Sequence, residues 1–135
     1  MGAEVEWMME QYVINIEPEE PARFNPDRLE RLCAEIGELR AEDEVAQALE
    51  VISARLQEIG VLDPLRDATP LAAGLRALIA ASEHIGMATL ARVGRNVQGC
   101  LVRRDNVALA ATHARLIRIG DRSIHAIWDL EDLSG

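Results

Sequence analysis

The sequence predicts an all-α protein: an antiparallel four-helix bundle with a short leading helix and an N-terminal appendage. Three observations lead there. Apolar residues make up 49% of the chain but aromatics only 3%. The core must then be built from Ala, Leu and Ile, as in helices packed by aliphatic ridges and unlike a sandwich or barrel. Apolar positions recur at three- and four-residue steps in one segment after another. Gly, Pro, Asp and Asn fall between those segments, where helix ends need them. A chain of 135 residues supports one core. The boundaries read 1–24 for an appendage with its linker and 25–135 for the bundle.

Within the appendage, Val5, Trp7, Met8, Met9, Tyr12, Val13, Ile14 and Ile16 are too apolar for a free tail. Glu17-Pro18-Glu19-Glu20-Pro21 ends any regular element. Residues 1–21 are therefore expected to pack on the bundle or on a second subunit. A short helix through Trp7 and a strand at Tyr12 to Ile16 both fit.

Asn25-Pro26 is a cap followed by a first-turn proline, and Asp27 complements the helix dipole. Leu29, Leu32, Cys33, Ile36 and Leu39 then form the stripe of the leading helix. Glu42-Asp43-Glu44 marks a break or the next helix start. A second stripe runs through Val45, Ala48, Leu49, Ile52, Leu56 and Ile59 and is ended by Gly60. Asp63-Pro64 and Asp67 to Pro70 make the crossover.

The next helix, Thr69 to Gly86, is the one the rest is organised around. Thr69 caps it, Pro70 stands at its first position, and Gly86 closes it in a left-handed conformation. Leu71, Leu75, Leu78, Ser82 and Ile85 make one buried stripe. Arg76 points away from that stripe, over a low bed of Ala72, Ala73, Ala77 and Ala80, with Ile79 at its edge. A lone arginine among alanines suits a surface that another protein must approach closely. Met87, Leu90, Val93, Val97, Cys100 and Leu101 give a fourth helix. Asp105 caps the last, through Val107, Leu109, Leu116, Ile117, Ile124, Ile127 and Trp128 to about Leu133, with Gly120 read as a bend or break.

The stretch TPLAAGLRALIAASEHIG resembles the phosphoacceptor helix of histidine-containing phosphotransfer (Hpt) domains, whose pattern is roughly H-x-L-K-G-S-A-x-x-L-G. With the terminal Leu-Gly set on Ile85-Gly86, the family's Leu falls on Leu78 and its Gly on Ala80. The Lys falls on Ile79 and the phosphorylated His on Arg76. Segment lengths from Asn25 to Leu133 also fit. The resemblance implies a bundle of Hpt type and a partner that is a response-regulator receiver domain or a histidine kinase. The signature is broken at its chemical residue, because a guanidinium stays protonated and offers no lone pair to a phosphoryl group. The chain is thus expected to be no enzyme, with a docking surface of Ala72, Ala73, Arg76, Ile79, Ala80 and Glu83. Arg76 reads either as a fixed charge that meets the receiver's carboxylates or as an ordinary surface arginine paired with Glu83.

Two further readings stay open. His84 lies two turns beyond Arg76 and is the alternative phosphoacceptor. The chain is otherwise a structural bundle, dimerising through residues 7–16. His113 and His125 read as surface or half-buried residues. The histidines lack ligand spacing for a metal, and neither cofactor nor Gly-rich phosphate loop is expected; Gly94 and Gly99 ease helix contact instead. Cys33 and Cys100 lack a C-x-x-C pattern and read as buried free thiols of a cytoplasmic protein.

The formal charge of −9 resides in residues 1–44, with thirteen acids against four arginines. Arg92 to Arg122 holds seven arginines with only Asp105 and Asp121. Such asymmetry steers association with charged protein surfaces. An acidic chain without a basic, aromatic-studded groove is a poor nucleic-acid binder. No run of eighteen apolar residues and no basic-then-apolar leader occurs, so neither a membrane span nor a signal peptide is expected.

Overall fold

The computed structural model describes residues 25–134, with side chains through residue 125. The expectations for residues 1–24, and those for side chains from Ile127 onward, lie outside the described residues. The described chain is helical throughout: α1 (Pro26–Ile36), α2 (Glu38–Val61), α3 (Ala68–His84), α4 (Ala88–Arg103) and α5 (Asn106–Ser134). Each helix packs on the next in chain order, and α5 returns to α2, so α2 to α5 close a ring with α1 against α2. Their shared core is aliphatic, with Leu49, Ile52, Ile59, Leu71, Leu75, Leu78, Leu90 and Leu116 essentially without solvent contact. Among the described residues, no helix is long and apolar enough to cross a membrane.

The helix ends explain the order of elements. Asn25 Oδ1 accepts the Asp27 N–H at 3.0 Å, with Pro26 behind it, as the sequence leads one to expect. Gly37, at φ +84°, ends α1, and α2 begins at once. The acidic Glu42-Asp43-Glu44 therefore lies inside α2, and Leu39, expected on the α1 stripe, stands 80% exposed on the first turn of α2. Gly60 does not end α2, which runs one residue further to Val61.

The cap of α3 is Asp67 and not Thr69. Asp67 starts the helix through its carbonyl, which accepts the Leu71 N–H at 3.0 Å. Its carboxylate meanwhile reaches back to the Asp63 N–H at 2.8 Å and closes the crossover turn. Thr69 and Pro70 thus sit in the first turn, where a missing N–H is still harmless.

At the other end of α3, Gly86 takes φ +78°. The Gly86 N–H bonds Glu83 O at 3.1 Å and the Met87 N–H bonds Ser82 O at 2.8 Å, a complete Schellman turn. The α4 end repeats it, with Arg104 N–H to Leu101 O and Asp105 N–H to Cys100 O, but a non-glycine residue occupies the left-handed position, at φ 55°. Asp105 then caps α5 by accepting the Ala108 N–H at 3.2 Å.

Glycines also set the helix spacings. A Cβ on Gly74 would stand 3.1 Å from Ile59, and one on Gly94 would stand 3.0 Å from Ile79. One on Gly120 would fall 2.6 Å from both Leu56 methyls. Gly120 is therefore where α5 closes on α2, and α5 continues through it without a break. Gly99 differs from Gly94, since the side chain beside it is Arg103 of its own helix.

The two left-handed positions make opposite predictions. Gly86→Ala combines an unfavourable φ with contacts at 3.1 Å to Asn25 N and Arg28 Cβ, and is expected to cost about 2–3 kcal/mol. Arg104→Gly relieves the same backbone penalty and is expected to gain about 1 kcal/mol. Urea midpoints at constant m-value check both.

Candidate functional site

The outward strip of α3 follows from its register. With Leu71, Gly74, Leu75, Leu78 and Ser82 buried, Ala73, Arg76, Ala80 and Glu83 are exposed, and Ala72 and Ala77 are half-buried at the margins. Among the described residues Arg76 has no hydrogen-bond or ion-pair partner. The expected pairing with Glu83 is not made, because Glu83 is bonded by Arg95 of α4. Arg95 thus joins the strip from a neighbouring helix, a position that the sequence reading left out. Its membership in the basic stretch after Arg92 was the available signal.

Ile79 departs from the expected docking set. It is only 9% exposed and fills the space that Gly94 leaves open, so it belongs to the α3–α4 seam and presents nothing to a partner. The position that the resemblance assigns to a lysine is accordingly interior. Ala72, Ala73, Arg76, Ala80 and Glu83 keep the outward placement.

His84 sits in a three-element junction. Arg28 of α1 donates from Nε to His84 O at 2.9 Å and lies with Nη2 3.4 Å from His84 Nδ1. Glu44 Oε2 of α2 is 3.0 Å from His84 Nε2. A guanidinium can only donate, so Nδ1 accepts, and Nε2 carries the proton that goes to Glu44. The ring is 39% exposed, but its one lone pair is engaged. The main chain adds a bond from the Asn25 N–H to Gly86 O at 2.7 Å. Arg28 and Glu44 lie 56 and 40 residues from His84, and no local pattern announces them.

The remaining chemistry-bearing residues are dispersed. His113 is half-buried and donates from Nε2 to Ile59 O at 2.9 Å; exposed His125 donates from Nδ1 to Asp121 O at 2.8 Å. Among the described residues no cluster of His, Cys, Asp or Glu is arranged to hold a metal ion. Both cysteines are buried free thiols, as expected. Burial pushes the Cys33 thiol up, aided by the negative charges of Glu38 and Glu42, so the nucleophilic thiolate is disfavoured there.

Compared with known proteins, the chain matches no family model, no curated protein and no solved structure.

The junction yields two predictions and the thiol a third. Arg28→Ala removes a charged donor from the α3 terminus and is expected to cost about 1–2 kcal/mol. Glu44→Gln alters only a half-exposed partner and should cost under about 0.5 kcal/mol, both read from urea unfolding. For Cys33, the folded form holds its proton where the unfolded chain has lost it. Its contribution is complete below the ordinary thiol value and declines as pH rises above about 8.5. Stability measured against pH should fall over that alkaline range, and Cys33→Ala should flatten the slope.

Proposed function

We propose that the chain is a catalytically silent signalling module of Hpt type, an antiparallel bundle that docks a response-regulator receiver domain without carrying phosphate. The observation that carries this reading is Arg76, exposed and unpartnered among the described residues on the alanine strip of α3. The all-helical fold and the closed ring of α2 to α5 are compatible with the resemblance. On this reading Arg76 enters the carboxylate cluster around the receiver's phosphorylatable aspartate, in place of a phosphohistidine. The flanking alanines let the two backbones come close. A histidine kinase is the second partner of the same class.

The His84 alternative receives less support, since a phosphoacceptor needs a free ring nitrogen and both nitrogens of His84 are engaged. Dimerisation through residues 7–16 falls outside the described residues.

Phosphotransfer and binding against one panel of receiver domains test the proposal together. The expected result is no label on the chain, with binding that Arg76→Glu weakens at least tenfold, or about 1.4 kcal/mol. Acid-labile label that His84→Gln abolishes would instead establish a working relay. Absence of both label and binding would leave a structural bundle.

A further inference from the structure

We propose that the outer face of α4 binds the outer face of α2 on a second copy of the chain, through paired charges. α2 carries Glu38, Glu42, Asp43, Glu44, Glu50 and Glu58 against two arginines. α4 carries Arg92, Arg95 and Arg103 against no acid. No other two helices differ so much in charge. In the closed ring, α2 and α4 stand at opposite corners. One copy therefore cannot bring its two faces together, and a second copy can.

The excess on each face survives the pairing within the molecule. Among the described residues Glu42, Asp43 and Glu50 are exposed and without a partner, while Glu58 is bonded by Arg55 and Glu44 meets His84. Arg40 is the cation beside them. α1, packed against α2, adds Asp27, Glu30 and Glu35 against Arg28 and Arg31, which leaves the sign unchanged. On α4, Arg92 has no partner among the described residues, Arg95 meets Glu83, and Arg103 donates to the Cys100 sulfur. Its neighbours reinforce the sign. α3 adds Arg76, and α5 adds Arg115, Arg118 and Arg122. His113, Ile117 and Asp121 mark the side of α5 that faces α2. Those three arginines lie about 100–160° round the helix from Ile117. Asp121, the described acid nearest them in sequence, lines the α2–α5 groove with Ser53 and Gln57.

The two faces also match in pattern. Leu39, Asp43, Ala46, Glu50 and Ala54 form an exposed row on α2. Ala88, Arg92, Arg95, Gly99 and Val102 form one on α4, exposed except at half-buried Gly99. Laid antiparallel, the rows bring Leu39 to Val102, which are 80% and 77% exposed. Glu50 then meets Arg92, and Ala54 meets Ala88. Asp43 falls on Gly99, with Arg95 and Arg103 one turn to either side. The alanines and the glycine let the two backbones come close. The 16 residues of α4 at helix width give about 240 Å². A stable interface buries roughly 800 Å² per partner, so this contact is weak and reversible. Because its two faces differ, it is heterologous and runs on from copy to copy. The net charge of −9 opposes approach at long range, so the pairing acts within about 10 Å, the screening length at about 0.1 M salt.

Sedimentation velocity on the full chain at about 0.1 M salt tests this. The mean mass should rise between micromolar and millimolar concentration. Arg92→Glu and Glu50→Arg, both at exposed positions, should each weaken that association about tenfold or more while leaving the circular dichroism of the wild type. An equimolar mixture of the two variants should regain it, because each then offers the charge that the other lacks. A wild type that stays monomeric throughout overturns the proposal. So do folded variants that associate as the wild type does, or a mixture that fails to recover. No receiver domain enters the experiment, so its outcome is independent of the function proposed for Arg76.

Discussion

At residue 86 the backbone turns through φ +78°, and three parts of the molecule depend on that turn. It satisfies the last carbonyls of α3 and hands the chain to α4. It also brings the Gly86 carbonyl to the Asn25 N–H, which ties the start of α1 to a residue more than sixty positions away. Arg28, one turn into α1, reaches the His84 carbonyl from the same side. A side chain at residue 86 would strike Asn25 and Arg28, so the absence of a Cβ is what lets the leading helix seat there. Helix termination and tertiary contact are one event at this point.

Along the helices a second constraint operates, the depth to which small residues let neighbours sink. With almost no aromatics, an aliphatic core gains density by letting one helix press into a gap on the next. Gly74 admits Ile59, Gly94 admits Ile79 and Gly120 admits Leu56. The middle pair shapes the candidate site. Because Gly94 draws Ile79 inward, no large apolar residue is left on the outer strip of α3, and Arg76 stands alone above alanines.

Features decided by neighbours in sequence were legible. Asn25-Pro26, Asp105 and Gly86 hold their expected ends because a cap is chosen by residues within a turn of it. Where two local signals competed, the one with the stronger hold on the backbone won. Gly37 outranks the acidic triad as the break after α1, since a positive φ forces a turn and charge only decorates one. Asp67 outranks Thr69 because the crossover turn already fixes the Asp67 carboxylate. Gly120 shows a different failure. Its lack of a side chain is used for contact with Leu56, 64 positions away, and a one-dimensional pattern cannot tell a contact glycine from a breaking one. The same limit hid the Arg95–Glu83 pair and the junction around His84, both made across helices.

The α3 strip alone is too small to hold a partner. Its 17 residues give about 25 Å of length and, at a helix width of about 10 Å, some 250 Å² of area. A stable interface buries about 800 Å² per partner. Alanines contribute little apolar area each, and an exposed arginine loses side-chain freedom on docking. Any partner that uses Arg76 must therefore also lie on a neighbouring helix. α4 is the one that reaches the strip, since Arg95 is bonded to Glu83 and Arg92 is exposed one turn before it. An interface spread over α3 and α4 would meet Arg76, Arg92 and Arg95 with Glu83 as the only acid of the strip. Its affinity would then depend steeply on the acidity of the partner and fall with ionic strength.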